Sequence, residues 1–238
     1  MIIKAKTQNG MKKISFLFFP ILLIWSCNAK QEIQLEKFKT ITQTFNAKQV
    51  KGLNEILAFF DEEVCKSAGI EGKEVLDCYQ KYFEKLALSV ETGNLEINIS
   101  YPKQTEFLSK INPDLFQEIW NERQMIKFKD RMHKKIPPDT LQIIFLKLDG
   151  GYADFLKIFA KKNDKIKFYS NHLQAVSDIS PSIVADVLMN YKDYDISDEH
   201  IRLVIAIHYL TLNYQYSKWA VLDNRIEGVE KIKNHKTE

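Results

Sequence analysis

Ten consecutive residues near the C-terminal end, LVIAIHYLTL at 203–212, carry no formal charge if His208 is neutral. The stretch reads as helix. A helix that is apolar on nearly every side must be enclosed by other elements rather than lie on a surface. The rest of the chain therefore has to supply a shell for it. Ser197 reads as the cap of this helix, and Ile201, Ile205, His208 and Leu212 form one of its stripes.

Shell elements are visible upstream. Leu53, Ile56, Leu57 and Phe60 recur at helical spacing with Val64 one turn on, and Val75, Leu76, Tyr79, Tyr82, Phe83 and Leu86 do the same. This predicts two antiparallel helices joined by SAGIEG. Asn112-Pro113 supplies a cap and a first helical residue. Leu115, Ile119, Trp120 and Ile126 are apolar positions of the helix that follows, which stops before Pro137-Pro138. Ser180-Pro181 opens another, with Ile183, Val184, Val187 and Leu188 on its face. Strand signals are fewer. LEINISY at 95–101 alternates strictly and ends at Pro102. Residues 141–148 are nearly all apolar and β-rich, Asp149-Gly150-Gly151 is hairpin chemistry, and Asn163-Asp164 separates the runs 153–162 and 165–171. Together these predict a three-stranded antiparallel meander, although Tyr152, Phe155, Leu156 and Phe159 also fit a helical stripe. The expected fold class is α+β, mostly helical with a small antiparallel sheet.

The N-terminal part has a different character. Residues 14–24, ISFLFFPILLI, are apolar and follow Lys12 and Lys13. A basic start, a short apolar run and small residues at a cut point are the layout of a secretory signal. The run is shorter than the roughly 20 residues a membrane span needs, and Pro20 interrupts it as a helix. Ile24-Trp25-Ser26-Cys27 resembles the lipobox of bacterial lipoproteins, which has an aliphatic residue three before an invariant cysteine and a small residue one before it. The resemblance covers residues 11–27. It implies that Cys27 takes a diacylglyceryl thioether, becomes the mature N-terminus and is acylated on its amine. Each buried methylene adds ~0.8 kcal/mol, so two or more chains hold a protein stably on a membrane. On this reading residues 1–26 are a signal peptide with Met11 as its true start. Residues 27–36 are a lipidated tether, 37–228 one globular domain and 229–238 a solvated tail. The expected location is the bacterial cell envelope. Asn28 is not the aspartate that retains some lipoproteins at the inner membrane, which leaves the outer membrane open as destination.

Charge follows the same division. The chain has 34 basic and 31 acidic residues, but Lys4, Lys6, Lys12 and Lys13 precede Cys27 and no acid does. Removing those four leaves 30 basic against 31 acidic residues, or −1, from Cys27 onward. That balance lacks the basic surplus of a nucleic-acid binder. Setting Cys27 aside leaves Cys65 and Cys78, an even pair for an oxidising compartment. A helical hairpin would bring them together; the alternative is two buried thiols that never meet.

The remaining polar constellations carry little chemistry. His200 and His208 lie on one helix without the i, i+4 spacing of a zinc helix, so the expected arrangement is a buried, hydrogen-bonded His208 and a solvated His200. DYDISDEH at 193–200 lacks the glycine and the final glutamate of a calcium loop, and reads as a capped helix start. Asp61-Glu62-Glu63 fan apart as successive helical positions and read as a solvated face. No G-x-S-x-G, phosphate-binding glycine loop or C-x-x-C occurs. No catalytic residue, metal or cofactor is assigned. The leading expectation is a non-enzymatic binding module, with an immunity or inhibitor lipoprotein as its specific form. It would meet the membrane through its lipid and take an unidentified protein or small molecule as partner. The alternatives are an envelope hydrolase acting on cell-wall or lipid substrates, or a carrier of apolar ligands.

Overall fold

The computed structural model describes residues 33–70, 74–91, 99–127, 139–179 and 181–215. Cys27, the signal peptide expected at 1–26 and the tail expected at 229–238 lie outside the described residues. After a single 3₁₀ turn, Leu35–Lys37, come α1 (Lys39–Thr42), α2 (Ala47–Ala68), α3 (Val75–Glu91), α4 (Tyr101–Lys110) and α5 (Pro113–Ile119). Then follow β1 (Trp120–Lys127), β2 (Asp139–Leu146), α6 (Gly151–Phe159), α7 (Asp164–Val176), α8 (Pro181–Met189) and α9 (199–215). The fold is α+β: mostly helical, with a two-stranded antiparallel sheet. Among the described residues no helix is long and apolar enough to cross a membrane.

Helix α9 is the axis that its uncharged sequence requires. Every residue from Ile201 to Asn213 is buried. Its few polar groups bind it to the shell. His208 Nδ1 meets the Tyr169 hydroxyl of α7 at 3.1 Å. Thr211 Oγ1 accepts from Trp120 Nε1 at 2.8 Å. Asn213 Nδ2 donates to the Ile99 carbonyl at 2.8 Å, and Gln215 Nε2 donates to the Ile144 carbonyl of β2 at 2.9 Å. Buried polar groups without such partners would each cost ~1–3 kcal/mol, so these bonds fix where each shell element docks.

Helices α2 and α3 form the expected antiparallel hairpin. Asn46 and Gln49 make a reciprocal capping box at the start of α2, each bond 3.0 Å. Gly69 ends the helix at φ 71°, a left-handed conformation that suits glycine. Phe60 of α2 and Tyr79, Tyr82 and Phe83 of α3 are buried together, and Phe60, Tyr82 and Phe83 pack on Tyr209 of α9. Asn112 and Pro113 start α5 as their chemistry predicts, Asn112 Oδ1 accepting from Asp114 N at 2.8 Å.

Four expectations are corrected. The helix after Pro113 does not run to Ile126; it stops at Ile119, and Trp120 begins β1, in register from Trp120↔Leu146 to Lys127↔Asp139. Pairing with the β-rich 141–148 stretch captures this segment, whose apolar spacing is broken between Trp120 and Ile126. The runs 153–162 and 165–171 are not strands but lie mainly in α6 and α7. Their turn signals are helix caps: Gly150 precedes α6, and Asn163 Oδ1 accepts from Ile166 N at 3.1 Å to start α7. Tyr152, Phe155, Leu156 and Phe159 are all buried on one helical stripe. Most of the strand expected at 95–101 lies outside the described residues, but Ile99 and Ser100 are not strand, and Tyr101-Pro102 opens α4. The fixed φ of proline suits a first helical turn as well as a strand end. Last, the cap of α9 is Asp198 rather than Ser197: Asp198 Oδ1 accepts from His200 N at 2.9 Å.

Candidate functional site

Cys65 lies in the last turn of α2 and Cys78 in the first turn of α3. Their sulfurs are at bonding distance, 2.07 Å, with Cα atoms 4.7 Å apart. The phase of the hairpin thus brings together the pair left over once Cys27 is set aside.

Asp61, Glu62 and Glu63 do fan apart, but only Glu62 is exposed. Glu63 turns inward to Lys103 at 2.6 Å and Lys66 at 3.2 Å. Asp61 accepts from the Tyr79 hydroxyl at 2.8 Å and faces Arg202 Nε at 3.5 Å. Burial pushes its carboxyl up to about 6, outweighing the opposing pull of Arg202 and Tyr79. These acids lock α2, α3, α4 and α9 together, so the reading of a solvated face is wrong for two of the three. Asp193 pairs with Lys165 at 2.8 Å, and Asp195 Oδ1 accepts from Ser197 N at 3.1 Å. That is helix-start geometry, with each acid already engaged.

The two histidines of α9 serve different neighbourhoods. His208 is fully enclosed, and burial pushes its imidazole down to about 3, so it stays neutral. His200, expected in solvent, is only 8% exposed. Its ring sits among Phe38, Phe159 and Phe155, at centroid distances of 4.2, 5.0 and 6.1 Å. Nδ1 lies 2.7 Å from Asp198 Oδ1 and Nε2 lies 2.6 Å from Thr40 Oγ1. Since the carboxylate only accepts, the Nδ1 proton belongs to that bond. In the tautomer with that proton on Nδ1, Nε2 is the acceptor for the Thr40 hydroxyl. Among the described residues no group of three or more His, Cys, Asp and Glu side chains fits a metal ion.

A cleft of about 470 Å³ is lined by Gln43, Thr44, Glu118, Asp149, Asp154 and Ile158, among others; Thr40, His200 and Asp198 are not among its lining residues. Its floor explains the glycine pair. Glu118 Oε2 accepts from Gly151 N at 2.6 Å, neutralising the start of α6. A Cβ on Gly150 would come within 2.4 Å of the Glu118 carbonyl oxygen. Asp154 is paired with Lys157 at 3.0 Å. The wall is thus polar and acidic, with the carboxylates of Glu118, Asp149 and Asp154 against the single amine of Lys157. A second groove, about 430 Å³, runs along Leu108, Ile111, Pro113, Phe116 and Trp120.

Sequence reasoning missed the relay. Asp198 and His200 stand two apart, a local hint, but Thr40 is 160 residues away and only the fold brings it in. No family model matches the chain, nor does any curated protein or solved structure.

Proposed function

We propose that this chain is a lipid-anchored protein of the bacterial cell envelope whose domain serves as a binding module at the membrane surface. The observation that carries the reading is the pairing of Cys65 with Cys78. A disulfide suits an exported domain, and the pairing leaves Cys27 as the odd cysteine, at the end of the apolar run where lipidation requires it. The membrane is the first partner, reached through acyl chains on Cys27. The second is a hydrophilic protein or small molecule, which the polar, acid-rich cleft beside α6 fits better than it fits an apolar ligand. Of the specific forms, an immunity or inhibitor protein is the leading one. Co-expression with the product of a toxin-like neighbouring gene tests it: protection supports it, and unaltered killing contradicts it.

Metabolic labelling with a radioactive fatty acid tests the anchor. Wild-type protein takes up label, and Cys27→Ala remains as unlabelled precursor. Undiminished label in the variant overturns the assignment. Fractionation of inner and outer membranes then reads the destination that Asn28 leaves open.

A further inference from the structure

Binding gives no task to Thr40, His200 and Asp198. We propose that they form a nucleophile, its general base and the acid that orients the base, acting on carboxylic esters. This goes beyond the binding reading and stands on separate observations. The hydroxyl oxygen of Thr40 is 2.6 Å from His200 Nε2, within the ~2.6–3.2 Å reach that activates a hydroxyl nucleophile. Asp198 Oδ1 holds Nδ1 at 2.7 Å and also accepts the backbone N–H of His200 at 2.9 Å. The carboxylate therefore cannot swing off the ring without uncapping α9. Burial raises the Asp198 carboxyl, but the two bonds from His200 outweigh it and hold the group below the usual carboxylate range. It stays ionised, as the partner of an imidazolium must.

Surroundings favour the same use. Phe38, Phe155 and Phe159 shield the ring from water, which strengthens its hydrogen bonds. Thr40 is half-buried rather than sealed. Gln43 and Thr44 of the next turn line the cleft, and Thr44 Oγ1 donates to the Thr40 carbonyl at 3.2 Å. Ile158 lines it from the helix that carries Phe155 and Phe159. The chain thus reaches the cleft wall within four residues of Thr40. The Gln43 side-chain amide on that wall is a donor of the type that stabilises an oxyanion.

In the reaction, Thr40 Oγ1 attacks the ester carbonyl carbon and its proton passes to His200 Nε2. The carbon–oxygen bond to the alcohol breaks, and the leaving oxygen takes that proton. A water then attacks the acyl–Thr40 ester and gives its proton to His200. Thr40 leaves and recovers the proton, releasing a carboxylic acid. Asp198 remains an anion throughout.

The experiment uses purified full-length protein with p-nitrophenyl acetate. Expected are a burst of nitrophenolate stoichiometric with protein and an acetyl group on the tryptic peptide that contains Thr40. Thr40→Val, which keeps the shape and removes the hydroxyl, and Asp198→Asn should each lose at least about a hundredfold in rate. Thr40→Ser should retain the burst. Thermal melts of each variant separate loss of chemistry from loss of fold. Wild-type protein with no acetylated Thr40 peptide overturns the proposal and leaves the relay as a stitch between α1 and α9. So does turnover by a folded Thr40→Val variant equal to wild type.

Discussion

Removing the Cys65–Cys78 pair tests the hairpin that encloses one side of α9. Alanine is the better replacement at Cys78, because that position is buried and a serine hydroxyl there would add its own penalty. The two residues are 13 apart in sequence. On the chain-entropy account, cross-linking a loop of this size stabilises by ~3 kcal/mol. That is a substantial share of the roughly 5–15 kcal/mol that holds a domain folded. For a domain of this size ~1 kcal/mol corresponds to ~2–4 °C, so Cys65→Ala/Cys78→Ala should melt ~6–12 °C below wild type. The assay is thermal unfolding by circular dichroism, each protein with and without reductant. Reductant should lower the wild-type midpoint toward that of the variant and leave the variant unmoved. A variant that melts with the wild type, or two alkylatable thiols in unreduced wild-type protein, would refute the reasoning.

Three further substitutions test the interior. The Tyr209 hydroxyl is fully buried with no hydrogen-bond partner among the described residues, so Tyr209→Phe should be neutral or stabilising by up to ~1–3 kcal/mol in denaturant titration, and a clear loss of stability would contradict this. The Asp61 carboxyl lies near 6 in the folded chain against 3.8 without burial, so the native state binds the extra proton between those values. Its contribution therefore falls as pH rises from about 4 to about 6, by at most ~3 kcal/mol; Asp61→Asn should remove that slope from the difference between pH 4 and pH 7 midpoints, and an unchanged slope would contradict the assignment. Gly150→Ala drives a Cβ into the Glu118 backbone and should cost ~1–3 kcal/mol, whereas Cβ on Gly69 meets nothing within 4 Å and costs only its left-handed φ, ~1–2 kcal/mol; equal stability of Gly150→Ala and wild type would show that the α5–α6 junction is looser than described.

What was legible in the sequence was whatever rested on long periodic patterns. The uncharged run 203–212 demanded a central helix, and α9 is buried along that run. The α2–α3 hairpin and the Asn112-Pro113 start of α5 followed from spacing and caps. Misreadings came where one residue type serves two backbone tasks. Gly150 and Asn163 suit hairpin turns, yet glycine also tolerates close approach and asparagine also caps helices. With the helical stripe of Tyr152, Phe155, Leu156 and Phe159 between them, burial decided for helices. Trp120 to Lys127 went the other way: a partner strand outside the local window decided its state. The relay is the extreme case, since nothing near Thr40 marks it until His200 is folded against it.

The central claim is that Cys27 anchors this domain. Mass spectrometry of the N-terminal peptide of mature protein extracted from membranes tests it most directly. The expected peptide begins at Cys27, with diacylglycerol on the sulfur and an acyl group on the amine. An unmodified Cys27, or a mature chain that still begins upstream of it, would rule out the anchor.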